Sequence, residues 1–300
     1  GSPMASGERR GGGAPSGELS VTFYGVRGST PCCSPSVNRY GGNTSTVVIE
    51  APGELPLLLD LGTGAREFGM RVPPDGPFRC RALVSHLHWD HVQGLPFFRP
   101  VLRPGAELEL YAPAPGSGLS LAEALDRCIR PPFFPVTLAE LPGTLVLREV
   151  DTSAALELDG LTVRARPVPH VGPTVGYRVE WCGVSVAYIP DHQQPVDAST
   201  VDESVLELAA GVDLLIHDAQ YTGPEFDEKA TWGHSTVDYA VEVARRAGVR
   251  TLALFHHDPL HDDDTVDALL EGARVLAGPD GPAVVAAAEG MRLTWSGRPR

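Results

Sequence analysis

One apolar run after another in this chain stops at histidine or aspartate. "RCRALVSH" leads into "LHWDH", "LTVRARPVPH" ends at His170, "VSVAYIPD" at Asp191, "VDLLIHD" at His217 and Asp218, and "TLALFHH" at His256 and His257. Short apolar runs bounded by turn residues read as strands, and longer segments with 3.6-residue periodicity read as helices. A chain that repeatedly delivers a polar, ligand-type side chain at a strand end fits a layered α/β fold, where sites assemble from loops at strand ends. One such histidine would be an ordinary structural residue. Several, with His86, His88, Asp90 and His91 within six positions, point to a site.

The remaining segments agree with that class. "LSVTFYGV", "TSTVVIEA", "LPLLLDLG", "ELELYAP", "TLVLREV" and "TVGYRVEW" read as strands, and "PAVVAAAEGMRLTW" as a closing strand pair. "LSLAEALDRCI", "VDESVLELAA", "STVDYAVEVARRAG" and "TVDALLEGARVLAG" read as helices. In the third of these, Ser235 fits an N-cap and Gly248 a C-terminal stop. Strands and helices interleave in both halves, which predicts one α/β domain with two sheets covered by helices. Residues 131–143, "PPFFPVTLAELPG", read as a lid or interface loop. Residues 1–17 read as a cloning scar followed by a flexible Gly/Ser/Pro tail, leaving residues 18–300 as the domain.

Composition narrows the function. The net charge of −14 argues against long nucleic acid, which is gripped largely through Lys and Arg. The five cysteines form no C-x-x-C pair, so neither a thiolate zinc site nor a disulfide framework is expected, and a reducing cytoplasm is. No apolar run reaches the roughly 18 residues of a membrane span, so no membrane partner is expected. Imidazole and carboxylate together suit zinc and related divalent ions. Seven candidate ligands are enough for two ions sharing one carboxylate.

"SHLHWDH" resembles the H-x-H-x-D-H signature of the metallo-β-lactamase superfamily, and His170, Asp191 and His256 follow in that family's order. The resemblance implies a four-layer αβ/βα sandwich forming one catalytic domain, with a dinuclear site in the cleft between its sheets. It implies that His86, His88 and His170 hold one ion, Asp90, His91 and His256 the second, and that Asp191 bridges. Zn²⁺ is expected, with Mn²⁺ second. Asp90 would also orient the attacking water. His256 fits the family pattern better than His257, for which a supporting or solvent-facing place is expected.

"IHDAQYTGPEF" with "WGHST" resembles motifs of the ribonuclease Z-like group, as do "YGVRGSTP…RYGGNTSTVVIE" and "LLLDLGTGARE". In that likeness Asp218 takes the place of a glutamate and His234 matches a histidine. A carboxylate-held histidine suits proton donation to a leaving oxygen. Ribonucleases Z carry a long basic arm, expected between the residues matching His170 and Asp191. Here that interval is 21 positions. No structured tRNA is therefore expected, and the reading favours a small phosphodiester, cyclic nucleotides first. Hydrolysis of a thioester, lactone or sulfate ester, or nucleotide sensing without turnover, stays open on the same fold. A homodimer follows from the resemblance only.

Weaker features are Asn43 near the cleft, Arg27, Ser29 and Thr30 as phosphate contacts or surface loop, and Phe97, Phe98, Phe133 and Phe134 as base-stacking or packing residues. "HDDD" at 261–264 reads as an acidic helix start.

Overall fold

The structure, a computed structural model, describes residues 17–299. The first half runs β1 (Glu18–Gly25), β2 (Thr46–Glu50), β3 (Leu57–Leu59), α1 (Gly64–Arg71), β4 (Phe78–Leu83), the single turn α2 (Trp89–Val92), β5 (Ala106–Ala112), α3 (Leu121–Cys128) and β6 (Thr144–Glu149). The second half opens on β7 (Leu156–Leu158), β8 (Leu161–Pro167), β9 (Val175–Trp181) and β10 (Val184–Ile189). It continues with α4 (Glu203–Ala209), β11 (Leu214–Asp218), α5 (Gly223–Glu228), α6 (Val237–Ala247), β12 (Thr251–Phe255), α7 (Asp263–Ala277), β13 (Ala283–Ala286) and β14 (Arg292–Ser296). The tail assigned to residues 1–17 lies, except for Gly17, outside the described residues.

Two seven-stranded sheets result, ordered β14-β1-β2-β3-β4-β5-β6 and β13-β12-β11-β10-β9-β8-β7. Each is mixed. Strands β3 to β6 pair in parallel, as do β10 to β13, while the rest pair antiparallel. Buried parallel strands are largely apolar on both faces, which is why "LLL", "VSVAYI" and "TLALF" show no regular apolar–polar alternation. One core, including Phe23, Val47, Tyr177, Val186 and Phe255, fills the space between the sheets. A second packs the β10–β13 sheet against α4, α6 and α7. A third packs the other sheet against α1 and α3. The expected αβ/βα sandwich is the observed fold.

Some local expectations need correction. Thr236, not Ser235, caps α6, accepting from the Tyr239 amide at 3.0 Å, while the Ser235 hydroxyl donates to the His192 carbonyl. The "closing strand pair" is two strands in different sheets, because the chain crosses the sandwich at Gly290, whose amide donates to Phe23. Gly248 ends α6 in the left-handed conformation, and Asp262 caps α7, so the acidic run is a helix start. No helix among the described residues is long and apolar enough to cross a membrane.

Candidate metal centre

The parallel strands of both sheets end on the same rim of the sandwich, and the candidate ligands converge there. His86 and the turn Trp89–Val92 follow β4, His170 follows β8, Asp191 follows β10, and His256 follows β12. Two clusters form. His86, His88 and His170 have ligand-type atoms within 4.8 Å of one another, and so do Asp90, His91, Asp191 and His256. Asp191 faces both. Its Oδ2 lies 3.5 Å from His86 Nε2 and 3.4 Å from His170 Nε2, and its Oδ1 lies 2.9 Å from His91 Nε2 and 3.3 Å from His256 Nε2.

Four of the five imidazoles are aimed by a bond on the far side. His91 Nδ1 meets Asp60 Oδ2 at 2.7 Å, His170 Nδ1 the Gly233 carbonyl at 2.6 Å, His256 Nδ1 the Gln220 Oε1 at 2.7 Å, and His86 Nδ1 the Ser85 hydroxyl at 2.9 Å. Such outer bonds fix tautomer and orientation in metal sites. They turn the Nε2 atoms inward, His88 alone presenting Nδ1, 3.2 Å from His170 Nε2. Two glycines make room. A Cβ at Gly28 would sit 2.4 Å from the His256 ring, and one at Gly233, where φ is +99°, would sit 2.5 Å from the His170 ring. His256 (φ 60°), Asp60 (φ 62°) and Ser29 (φ 68°) hold left-handed backbone without being glycine. Strain of that kind persists where surrounding structure enforces it, commonly at functional sites.

The electrostatics ask for a cation. Burial drives the pKa of His86 well down and lowers His88 and His170, keeping these rings neutral as ligation requires. At His91 burial also acts downward, but the carboxylates of Asp191, Asp90 and Asp60 outweigh it and hold the pKa well above the usual value. His256 behaves likewise, rising to about 9 because Asp191 and Asp90 outweigh burial. Asp90 and Asp191 are held well below the usual carboxylate range; burial alone would raise them, but the imidazoles beside them prevail. Buried carboxylates thus draw positive charge onto this cluster, and divalent ions would supply it instead of protons. A second observation fits. His86 Nε2, His91 Nε2 and Asp191 Oδ1 are buried with no hydrogen-bond partner, although His91 Nε2 and Asp191 Oδ1 are close, because their geometry makes no bond. The donor set fits two divalent ions.

Beside this centre His234 Nδ1 donates to Asp218 Oδ2 at 2.9 Å. The His234 ring stacks 5.0 Å from His256 and lies 5.4 Å from His170. Asp218 is itself fixed by the amides of His192 (3.0 Å) and Gln220 (3.1 Å). His217 points away and bonds His192. His257 is buried rather than solvent-facing: its Nε2 donates to the Ala287 carbonyl at 2.9 Å, and burial lowers its pKa to about 3.

Arg27 is neither a phosphate contact nor a surface residue. It is fully buried, with Nε on the Gly41 carbonyl and Nη1 on the carbonyls of Asp258 and His261. Ser29 serves through its amide, which donates to Asp90 Oδ2 at 3.0 Å, and Thr30 is exposed. Asn43 acts through its backbone, its carbonyl accepting from Val26 and Arg27. Phe98 is core, Phe134 packs against the same core, and Phe97 and Phe133 are exposed. Sequence reading missed Asp60, Ser85, His192 and Gln220. Asp60 carried a signal, since "LLLD" ends an apolar run in aspartate as the ligand strands do. The other three are polar residues adjoining recognised motifs, with nothing local to separate them from neighbours.

A family model described as the β-lactamase superfamily domain matches residues 68–257. The chain belongs to the β-lactamase superfamily. It is a metal-dependent hydrolase of that superfamily's fold. The ribonuclease Z of Methanothermobacter thermautotrophicus is 30% identical, the match covering 85% of this chain and 91% of that protein. Among solved structures, the metallo-β-lactamase fold protein YhfI from Bacillus subtilis superposes with a TM-score of 0.70 at 18% identity, covering 93% of this chain and 99% of that one. Human tRNase Z, short form, gives 0.62 at 22% identity, covering 91% and 98%.

These matches overturn one expectation, that a structured tRNA is excluded as a substrate: a relative matching 85% of this chain is a ribonuclease Z. The physical error was to read a global average as a local property. A net charge of −14 says little about the field at one cleft. The tight β9–β10 turn at Cys182 and Gly183 tests only one of the places where a substrate-gripping segment can be inserted.

Proposed function

We propose that this superfamily member is a dinuclear metal-dependent phosphodiesterase. His86, His88 and His170 would hold one divalent ion, Asp90, His91 and His256 the other, and Asp191 would bridge them. Zn²⁺ is the first choice and Mn²⁺ the second. The observation that carries the reading is the His234–Asp218 pair, bonded at 2.9 Å and set against both clusters. When bound, the ions activate the attacking water and neutralise charge on the phosphoryl oxygens.

The chain's own groups do the rest. Asp90, steadied by the Ser29 amide, accepts a proton of the attacking water and so aims its lone pair at phosphorus. Asp218 accepts from His234 Nδ1, which leaves Nε2 free to face the substrate. As an imidazolium supported by that carboxylate, His234 gives the Nε2 proton to the departing oxygen. The amides of His192 and Gln220 keep Asp218 from turning with it.

Small phosphodiesters, cyclic nucleotides first, are the substrate class we assign. A ribonucleotide chain end is the second, because a relative matching 85% of this chain is a ribonuclease Z. The five cysteines are free, which supports a reducing cytoplasm as the working compartment. The test is a panel of 3′,5′-cyclic mononucleotides, a 3′-extended tRNA and an aryl phosphodiester, run with Zn²⁺ or Mn²⁺. His234→Ala is expected to lower kcat on alkoxide-leaving substrates by about 10²–10⁴-fold. The aryl diester, whose leaving group needs little protonation, should lose far less. Equal loss on both would remove His234 as the acid, and turnover confined to thioesters or lactones would overturn the reading.

A further inference from the structure

One wall of the cleft runs outward from His234. The Tyr221 ring meets His234 edge-on at 5.6 Å. The Lys229 ammonium lies over Tyr221 at 5.5 Å and over Trp232 at 5.4 Å. Lys229 is the one lysine in a sequence of net charge −14. It forms no ion pair with any described carboxylate, although Asp227 and Glu228 precede it. Trp232 is 62% exposed, and Val171, next to His170, is 52% exposed.

The turn that carries these groups is pinned to the metal centre. The Gly233 amide donates to Gln193 Oε1 at 2.8 Å, and Gln193 Nε2 donates to the Ala230 carbonyl at 2.7 Å. The Gly233 carbonyl accepts from His170. A large exposed aromatic is therefore held in register with the reacting position, beside a cation without a carboxylate partner.

We propose that this wall is a nucleotide subsite: a nucleobase stacks on Trp232 and Lys229 takes a phosphate oxygen. The proposal rests on the phosphodiesterase reading and names its substrate class as nucleotidyl rather than alkyl diesters. An aromatic face accepts any base, and an ammonium beside it adds charge without base selectivity.

Two substrates sharing a leaving group separate the wall from the chemistry: thymidine 5′-(4-nitrophenyl) phosphate and methyl 4-nitrophenyl phosphate. Trp232→Ala is expected to raise KM for the thymidine diester about fivefold or more, with kcat and the methyl diester little changed. A fluorescence titration of the holoenzyme with AMP and with adenosine reads Lys229. Lys229→Ala should weaken AMP about tenfold and leave adenosine alone, and Lys229→Arg should restore AMP. Equal effects on both diesters, or a fall in melting temperature and kcat with no change in KM, would make the wall a structural clasp and overturn the proposal. If wild type cleaves neither diester, the phosphodiesterase reading fails by itself. The AMP titration then still decides the subsite, which stands if Trp232→Phe abolishes the quenching and falls if it does not.

Discussion

At the scale of single residues the centre depends on what stands behind the imidazoles. Asp60 is the clearest case. It is fully buried at the end of β3 and accepts from His91 Nδ1, the Ser85 amide and hydroxyl, and the Tyr188 hydroxyl. A carboxylate with four donors on it does not turn, and so His91 cannot. Asp60→Asn keeps the shape, but its amide nitrogen can donate where every neighbour donates. It should lower affinity for one of two bound ions by about 10–100-fold and spare the other. Competition with a chromophoric chelator reads this directly, and unchanged affinity at both sites would show that Asp60 only packs. The candidate ligands were legible in the sequence because each follows an apolar strand. Residues such as Asp60 and His192 were not, because a supporting role is set by which neighbour a side chain meets, and no spacing records that.

Among the elements, legibility followed length and periodicity. Helices α4, α6 and α7 and the long strands were readable because their apolar faces recur at a fixed period. Strand β7 has three residues at a sheet edge, too few for alternation to register. Helix α1 hides its period behind Gly64 and Gly69. Helix α5 carried a readable start, the Thr222–Glu225 capping box with Pro at the first turn, but its Gly-Pro opening looks like a loop. Loops around the rim are tied together by Arg27, which joins the end of β1 to the Gly41 loop and to the segment after His257. Arg27→Met would leave the Gly41 and His261 carbonyls unpaired, the Asp258 carbonyl keeping the His261 amide, and is expected to cost about 2 kcal/mol or more. Denaturant unfolding of the variant measures it. A loss below about 0.5 kcal/mol, the size usual for surface substitutions, would mean that the loops hold themselves.

For the whole molecule, the sandwich gives the site its character. Two mixed sheets face each other with parallel strands ending on one rim, so the ligands arrive from several strands of both sheets. Loops alone would leave such a set mobile, whereas a packed inter-sheet core holds it in register. Charge belongs to this scale too: a net charge of −14 summed over the molecule leaves open the field at a cleft that spans a small part of its surface, so it does not exclude a tRNA. The central claim is that the chain works with two ions on phosphodiesters. Its most direct test is the rate of bis(4-nitrophenyl) phosphate hydrolysis by the metal-stripped chain as Zn²⁺ is added back. The account predicts activity that rises to a plateau at two equivalents and is absent when Asp191 is replaced by alanine. Full activity at one equivalent, or two ions tightly bound with no diester cleaved, would contradict it.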